Sequence, residues 1–209
     1  MEEKVIETAA EQGFRVENII IEGRENTDLE LLRVLINTNE GDPLLDFHPE
    51  DIQPLIQKIS WVREAKVMRR MPNTIHVILQ EYTPYALWQQ NGKVVVIGDD
   101  GTILTDVLRE DFKDLIILTG QNAPHRASGL LELLQAEPEI LKEVEGAILV
   151  GDRRWDLKMK NGKIISLPES DVGFALRRLS VAQQEDQILE KDVSVIDLRE
   201  PDRMIVESR

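Results

Sequence analysis

The chain contains no cysteine. That excludes disulfides and thiolate metal sites, and it suits an oxidising compartment without requiring one. No apolar run exceeds four residues, as in Val94-Val95-Val96-Ile97, whereas a bilayer-spanning helix needs about 20. The opening MEEKVIETAA carries acids where a signal peptide carries its basic region, so it does not read as one. Basic charge is scarce too: 25 Lys and Arg stand against 39 Asp and Glu, for a net charge of -14. Such a balance repels phosphate backbones and argues against nucleic acid as a partner. A basic partner surface, or solubility alone, fits it better.

Catalytic signatures are also missing. The three histidines, His48, His76 and His125, lie far apart in the sequence. His48 precedes a helix and suits a local cap, His76 falls on the polar face of a strand, and His125 falls in a loop. A triad or metal site would require them to converge in space. There is no phosphate-binding glycine loop and no nucleophile elbow. Neither an enzyme nor a bound cofactor or metal is expected.

What is present is enough apolar content, 42% of 209 residues, for one large domain or two small ones. VENIIIEG (Val16–Gly23) is a β-type run stopped by glycine. NTDLELLRVLIN follows, with Thr27 and Glu30 at capping-box spacing and Leu29, Leu32 and Ile36 on one helical face. After the breaker NEGDP, a second helix begins at Pro49 and puts Ile52, Leu55, Ile56 and Ile59 on one face. Pro54 inside it predicts a kink. WVREAKVMRRMPNTIHVILQ then changes period to two around a Pro72-Asn73 turn. The order is β-α-α-β-β, two helices on a three-stranded sheet.

Beyond Pro84 the pattern is mostly β. Asn91-Gly92 and Asn161-Gly162 each mark a hairpin, and DLIILTG (Asp114–Gly120) reads as a buried strand. Trp155, Leu157 and Met159 share one strand face while Asp156, Lys158 and Lys160 share the other. Helices are predicted over about Ala127–Val144, interrupted at Pro138, and over about Asp171–Gln184. VIDLREPDRMIVESR (Val195–Arg209) closes the chain as a hairpin around Glu200-Pro201-Asp202. The fold class is α+β, a β-α-α-β-β module followed by a sheet-rich domain with flanking helices.

Polar motifs have plain readings. Asp99-Asp100-Gly101 is ordinary turn chemistry. Arg153-Arg154 either forms an anion site or balances Asp152 and Asp156. Core packing accounts for Trp61, Trp88 and Trp155. The terminal hairpin differs, because a last strand leaves backbone groups unpaired and able to accept a guest strand. Arg203, Glu207 and Pro201 would serve equally to blunt that edge.

FRVENIIIEGREN and WVREAKVMRRMPNTIHVILQEYTPYALW resemble the POTRA module that opens the FtsQ/DivIB cell-division family. RRWDLKMKNGKIISLPE and ILEKDVSVIDLREPDRMIV resemble the β domain of the same family, and the likeness runs from about Gly13 to Val206. It implies residues 1–13 as a membrane-proximal linker, 14–83 as a POTRA domain and 84–209 as the β domain. A short cytoplasmic tail and one transmembrane helix would precede this body and are absent from these residues. The body would lie in the periplasm, held to the inner membrane at the division septum.

The resemblance further implies a non-enzymatic divisome scaffold whose partners are FtsB and FtsL, with FtsB adding a strand to the terminal edge. IDLR places Ile196–Arg199 on the penultimate strand, with Arg199 at the rim of the partner groove. Glu200, Asp202 and the strand Arg203, Met204, Ile205 and Val206 fall where the FtsB segment would lie. Arg153 and Arg154 fall near a position where a basic side chain meets an acidic residue of FtsB. This chain has Glu200-Pro201-Asp202 at the last turn, where some members of that family place an aromatic and small residues, and no tryptophan in the last strand. Proline at Ile205 is expected to remove one edge donor. The alternative function is a POTRA-type chaperone or assembly component of a secretion or outer-membrane system.

Overall fold

Glycine 23 shows why the first strand stops where it does. Its φ is +76°, and a Cβ there would lie 1.9 Å from the carbonyl oxygen of Leu79. Only glycine fits such a close backbone approach in the left-handed region. A computed structural model describes residues 6–7 and 10–208 of the chain, which divides between Tyr82 and Thr83 into two compact units.

The first unit runs β1 (Asn18–Glu22), α1 (Leu29–Ile36), α2 (Pro49–Ile56), β2 (Val62–Arg70) and β3 (Thr74–Glu81). Its sheet order is β1-β3-β2, with β1 parallel and β2 antiparallel to β3. This is the β-α-α-β-β order expected from the periodicities. Leu32 and Ile36 of α1 and Ile56 of α2 are sealed against Ile75, Val77 and Val67 of the sheet. Leu55 is 41% exposed rather than part of that face. Pro54 lies two residues before the end of α2, where its missing N–H costs the helix little length.

The cap of α1 is one residue later than its sequence suggests. Asp28 accepts from the N–H of Glu30 at 2.7 Å and of Leu31 at 3.4 Å. Thr27 is fully buried, and its N–H goes to the Glu81 carboxylate at 2.8 Å, while that of Asn26 reaches the other oxygen at 2.7 Å. Those bonds hold Thr27 at the end of β3, and the next residue, Asp28, supplies the capping oxygen. Burial would raise the Glu81 pKa, but the Thr27 side chain and the N–H groups of Asn26, Thr27 and Glu25 outweigh it and hold the pKa low.

Among the described residues, the second unit is a nine-stranded mixed sheet with three α-helices. Its strands are β4 (Ala86–Gln90), β5 (Lys93–Ile97), β6 (Ile103–Thr105), β7 (Ile117–Thr119), β8 (Val144–Val150), β9 (Arg154–Met159), β10 (Ile164–Ser166), β11 (Val193–Asp197) and β12 (Ile205–Ser208). Its helices are α3 (Ala123–Gln135), α4 (Pro138–Leu141) and α5 (Val172–Asp186). The spatial order is β12-β11-β10-β9-β8-β7-β4-β5-β6. Asn91 and Gly92 both take positive φ between β4 and β5, as a two-residue hairpin turn requires.

Register explains the core. Ile196, Ile165, Leu157, Ala147 and Leu118 align in one row across five strands, and none is more than 1% exposed. Ala127, Leu130 and Leu134 of α3 and Ala175, Leu176 and Leu179 of α5 complete that core. The α3 helix begins at Ala123, four residues before the periodicity predicts, with Pro124 in its first turn where proline is tolerated. His125 is therefore helical. His76, expected on a polar face, is 6% exposed, with Nε2 3.1 Å from a Glu22 carboxylate oxygen. His48 occupies the N-cap of α2 without a side-chain capping bond, its Nδ1 3.4 Å from Glu50.

Candidate functional site

The large sheet ends at β12, and the direction of its backbone groups follows from the strands behind it. The N–H of Leu198 donates to the carbonyl of Ser166. Residues 196 and 198 therefore face β10, and 195 and 197 face β12. These last two oppose Glu207 and Ile205, which must turn their own groups inward. Val206, between them, turns its N–H and C=O outward. Proline at Ile205 thus breaks the hairpin and does not remove an edge donor, contrary to expectation. The position that removes one is Val206.

Side chains divide the same way. Val206 sits in register with the buried Ile196 and so stands on the helix side of the sheet, 46% exposed. Ile205 and Glu207 stand on the other side, Ile205 42% exposed. Ser194 is an extra residue in β11, because Val193 pairs with Ser208 and Val195 with Glu207. Its hydroxyl donates to the Glu207 carbonyl at 3.2 Å, which pins the end of the edge strand.

The connection is longer than a tight turn. Residues 198–204 join the two strands, so Arg203 and Met204 precede β12 instead of beginning it. Leu198 is buried and bonded to β10, and Met204 packs against the core. The chain must therefore cross the end of the sheet before returning. Arg178 of α5 donates to the Glu200 carbonyl at 3.0 Å, while Glu200, Pro201, Asp202 and Arg203 are exposed. Beside this turn, Phe174, Arg178, Leu198 and Arg199 line a cavity of about 110 Å³ with Pro201. Phe174, 58% exposed, is a large apolar side chain that lies off the apolar stripe of its own helix.

The arginines separate into two groups. Arg199 grips Asp197 with its Nε and Nη2, and its backbone N–H donates to the same carboxylate at 2.9 Å. These bonds hold the Asp197 pKa below the usual range against the opposing effect of burial, with Arg154 adding to the pull. Arg154 pairs with Asp156, their side chains 19% and 17% exposed. Asp156, Ser166 and Asp197 lie in one row. Arg154, Asp156, Asp197 and Arg199 thus form one charge network on the face away from the helices. Arg153 points elsewhere: it pairs with Glu169 at 3.0 Å, its side chain 67% exposed. With His125, Arg126, Trp155 and Pro168 it lines a cavity of about 460 Å³. The sequence pair is therefore not one anion site, and Asp152 accepts from the Asn122 amide instead.

Among the described residues, no group of three or more His, Asp or Glu is placed to hold a metal ion, and no helix is long and apolar enough to cross a membrane. What this end of the molecule can do chemically is accept an extended backbone along β12, between an apolar shelf and a set of paired charges.

Comparison with known proteins agrees with the architecture. Residues 14–82 match the POTRA domain, FtsQ-type, and residues 86–199 match the C-terminal part of cell division protein FtsQ/DivIB. The second match stops before β12. Cell division protein FtsQ of Rickettsia conorii is 30% identical over 97% of this chain and 76% of its own length. The protein of the same name from Caulobacter vibrioides is 31% identical over 97% of this chain and 67% of its own length. That from Bradyrhizobium diazoefficiens is 33% identical over 93% and 57%. The major extracytoplasmic domain of DivIB from Geobacillus stearothermophilus aligns at 15% identity and a TM-score of 0.36, over 52% of this chain and 97% of that one. With a POTRA-type unit and the sheet-rich unit in the family's order across nearly the whole chain, this protein belongs to the FtsQ/DivIB family of bacterial cell-division proteins.

Proposed function

We propose that this chain is the periplasmic body of a non-enzymatic divisome scaffold, anchored in the inner membrane at the septum, which binds FtsB, together with FtsL, by strand addition at β12. The observation that carries this reading is the outward-facing N–H and C=O of Val206 on the last strand of the sheet, flanked by exposed apolar side chains at Ile205 and Val206. A guest strand there gains main-chain bonds and covers both side chains. Arg153, with one exposed acidic partner, is the better placed of the two adjacent arginines to meet an acid on FtsB. Arg154 and Arg199 are engaged within the chain and shape the rim of the groove. Glu200, Asp202, Arg203 and Met204 form the approach to the edge, where Phe174 adds apolar surface.

Binding of a soluble FtsB–FtsL periplasmic complex tests this by titration calorimetry. Ending the chain at Arg199 removes β12 and should abolish binding while the first unit stays folded. Val206→Pro deletes one outward donor and should weaken binding by about tenfold, the worth of one hydrogen bond. Unchanged affinity in the truncated chain would overturn the proposal.

A further inference from the structure

A second edge, in the first unit, has the features of a self-pairing surface. Asn18 donates its N–H to the Asn73 carbonyl, so Asn18, Ile20 and Glu22 face β3, and Ile19 and Ile21 turn their backbone groups to the free side of β1. β1 is the last strand of its sheet, with Ile19 37% and Ile20 39% exposed. Edge strands are usually blunted by lysine, proline or a covering segment. The opposite edge, β2, is treated this way: the N–H of Val67 donates to the Gln53 side chain at 3.2 Å, and Lys66, Arg69 and Arg70 lie along it. β1 reads NIIIE and has no such protection among the described residues.

The open length is bounded at both ends. Before Asn18, the outer side of the chain is filled by Asp42 and Gly41, which hydrogen-bond Val16. After Glu22 the chain turns at Gly23. Only a strand of about five residues fits, the length of β1 itself. Between this edge and α1 lies a cavity of about 760 Å³, lined by Ile19, Ile21, Leu29, Arg33 and Ile36. Its charged ends differ: Glu17 and Glu40 stand where β1 begins and Arg24 where it ends. An occupant running antiparallel to β1 needs an acid first, beside Arg24, and a base last, beside Glu17 and Glu40, and a second copy of β1 supplies that order.

We propose that β1 pairs antiparallel with β1 of a second copy about a twofold axis through Ile20. In this register Ile19 of each copy faces Ile21 of the other as hydrogen-bonded pairs, since those are the residues whose groups point outward. Ile19 and Ile21 meet on the helix side and extend into the cavity, while the two Ile20 side chains meet on the opposite face. Asn18 faces Glu22, so no like charges are opposed. Arg24 of one copy comes to the Glu17 and Glu40 end of the other. The interface is isologous and closes on itself. Its small area makes it a concentration-dependent association rather than a permanent one.

Because the chain lacks cysteine, Ile20→Cys gives a single thiol placed at a non-hydrogen-bonded pair, where Cα atoms about 4.5 Å apart lie within disulfide reach. Oxidation should convert this variant to a covalent dimer, whereas Ile103→Cys, on the exposed β6 edge, should not dimerise at the same concentration. In sedimentation equilibrium, Ile20→Lys should raise the dimer dissociation constant about tenfold or more, through two like charges at the axis. Mixing it with Ile20→Glu should restore association, and Val206→Lys should leave it unchanged. A wild-type chain that remains monomeric up to its solubility limit overturns the proposal. So do equal crosslinking at positions 20 and 103, and failure of the Lys and Glu variants to associate with each other.

Discussion

Glu81 and Asp197 do similar work in the two units: each is a carboxylate at the end of a strand that ties down backbone from the segment it meets. Both have depressed pKa values. A depressed carboxylate pKa stabilises the fold at pH above the unfolded value, and that contribution is lost as pH falls through the folded value. For Glu81 the loss begins below about 4.3, the unperturbed glutamate value. Glu81→Ala should cost the first unit about 1–2 kcal/mol at neutral pH, from the two N–H donors it leaves without acceptors. Thermal melts repeated at stepwise lower pH should show this difference shrinking, and a constant difference would contradict the assignment. For Asp197, replacement by Asn should flatten the acid limb of stability in the second unit and leave melts at neutral pH less affected than the loss of Leu157 does.

Among elements, the end of β1 and the closing hairpin carry the sharpest expectations. Gly23→Ala drives a Cβ into the Leu79 carbonyl and should destabilise the first unit by about 3 kcal/mol or more, measured by urea unfolding. In the hairpin, Ile205→Pro and Val206→Pro should behave differently although they are adjacent. The first removes a bond to β11 and should lower the melting temperature. The second faces outward and should leave it close to wild type. Equal melting temperatures would mean that the register of β12 is not the one described. The hydrophobic alternation of MIVES is the same under either register, so alternation alone could not say which residue points its backbone out. That depends on β10, which is joined to β11 through a whole helix.

For the whole molecule, order and class were legible because each element advertises itself locally. The β-α-α-β-β unit follows from the switch between a period of 3.6 and a period of two, and both Asn-Gly turns were read from two residues each. The site was legible only in part. That β12 is an edge is decided by the strand order, in which it pairs with β11 alone, and the family likeness marks which residues border it. The division of Arg153 from Arg154 was not readable, because Arg153 lies in the turn before β9 and Arg154 on the strand, and the partners, Glu169 and Asp156, come from different distances along the chain. The role of Phe174 was not readable either: it lies off the apolar stripe of α5, and only the tertiary structure sets it beside Leu198, Arg199 and Pro201.

Local chemistry by itself determined the order and type of the main elements, the absence of thiol chemistry, the acidic surface and the kinship with the FtsQ/DivIB family. Tertiary structure alone decided that Asp28 caps α1 while Thr27 is held by Glu81, that His76 is enclosed, and that Val206 and not Ile205 offers the open donor. The physical reason is the same in each case. A side chain's type and spacing are properties of its own segment, whereas its free valence is what remains after segments distant in sequence have taken their share of its hydrogen bonds.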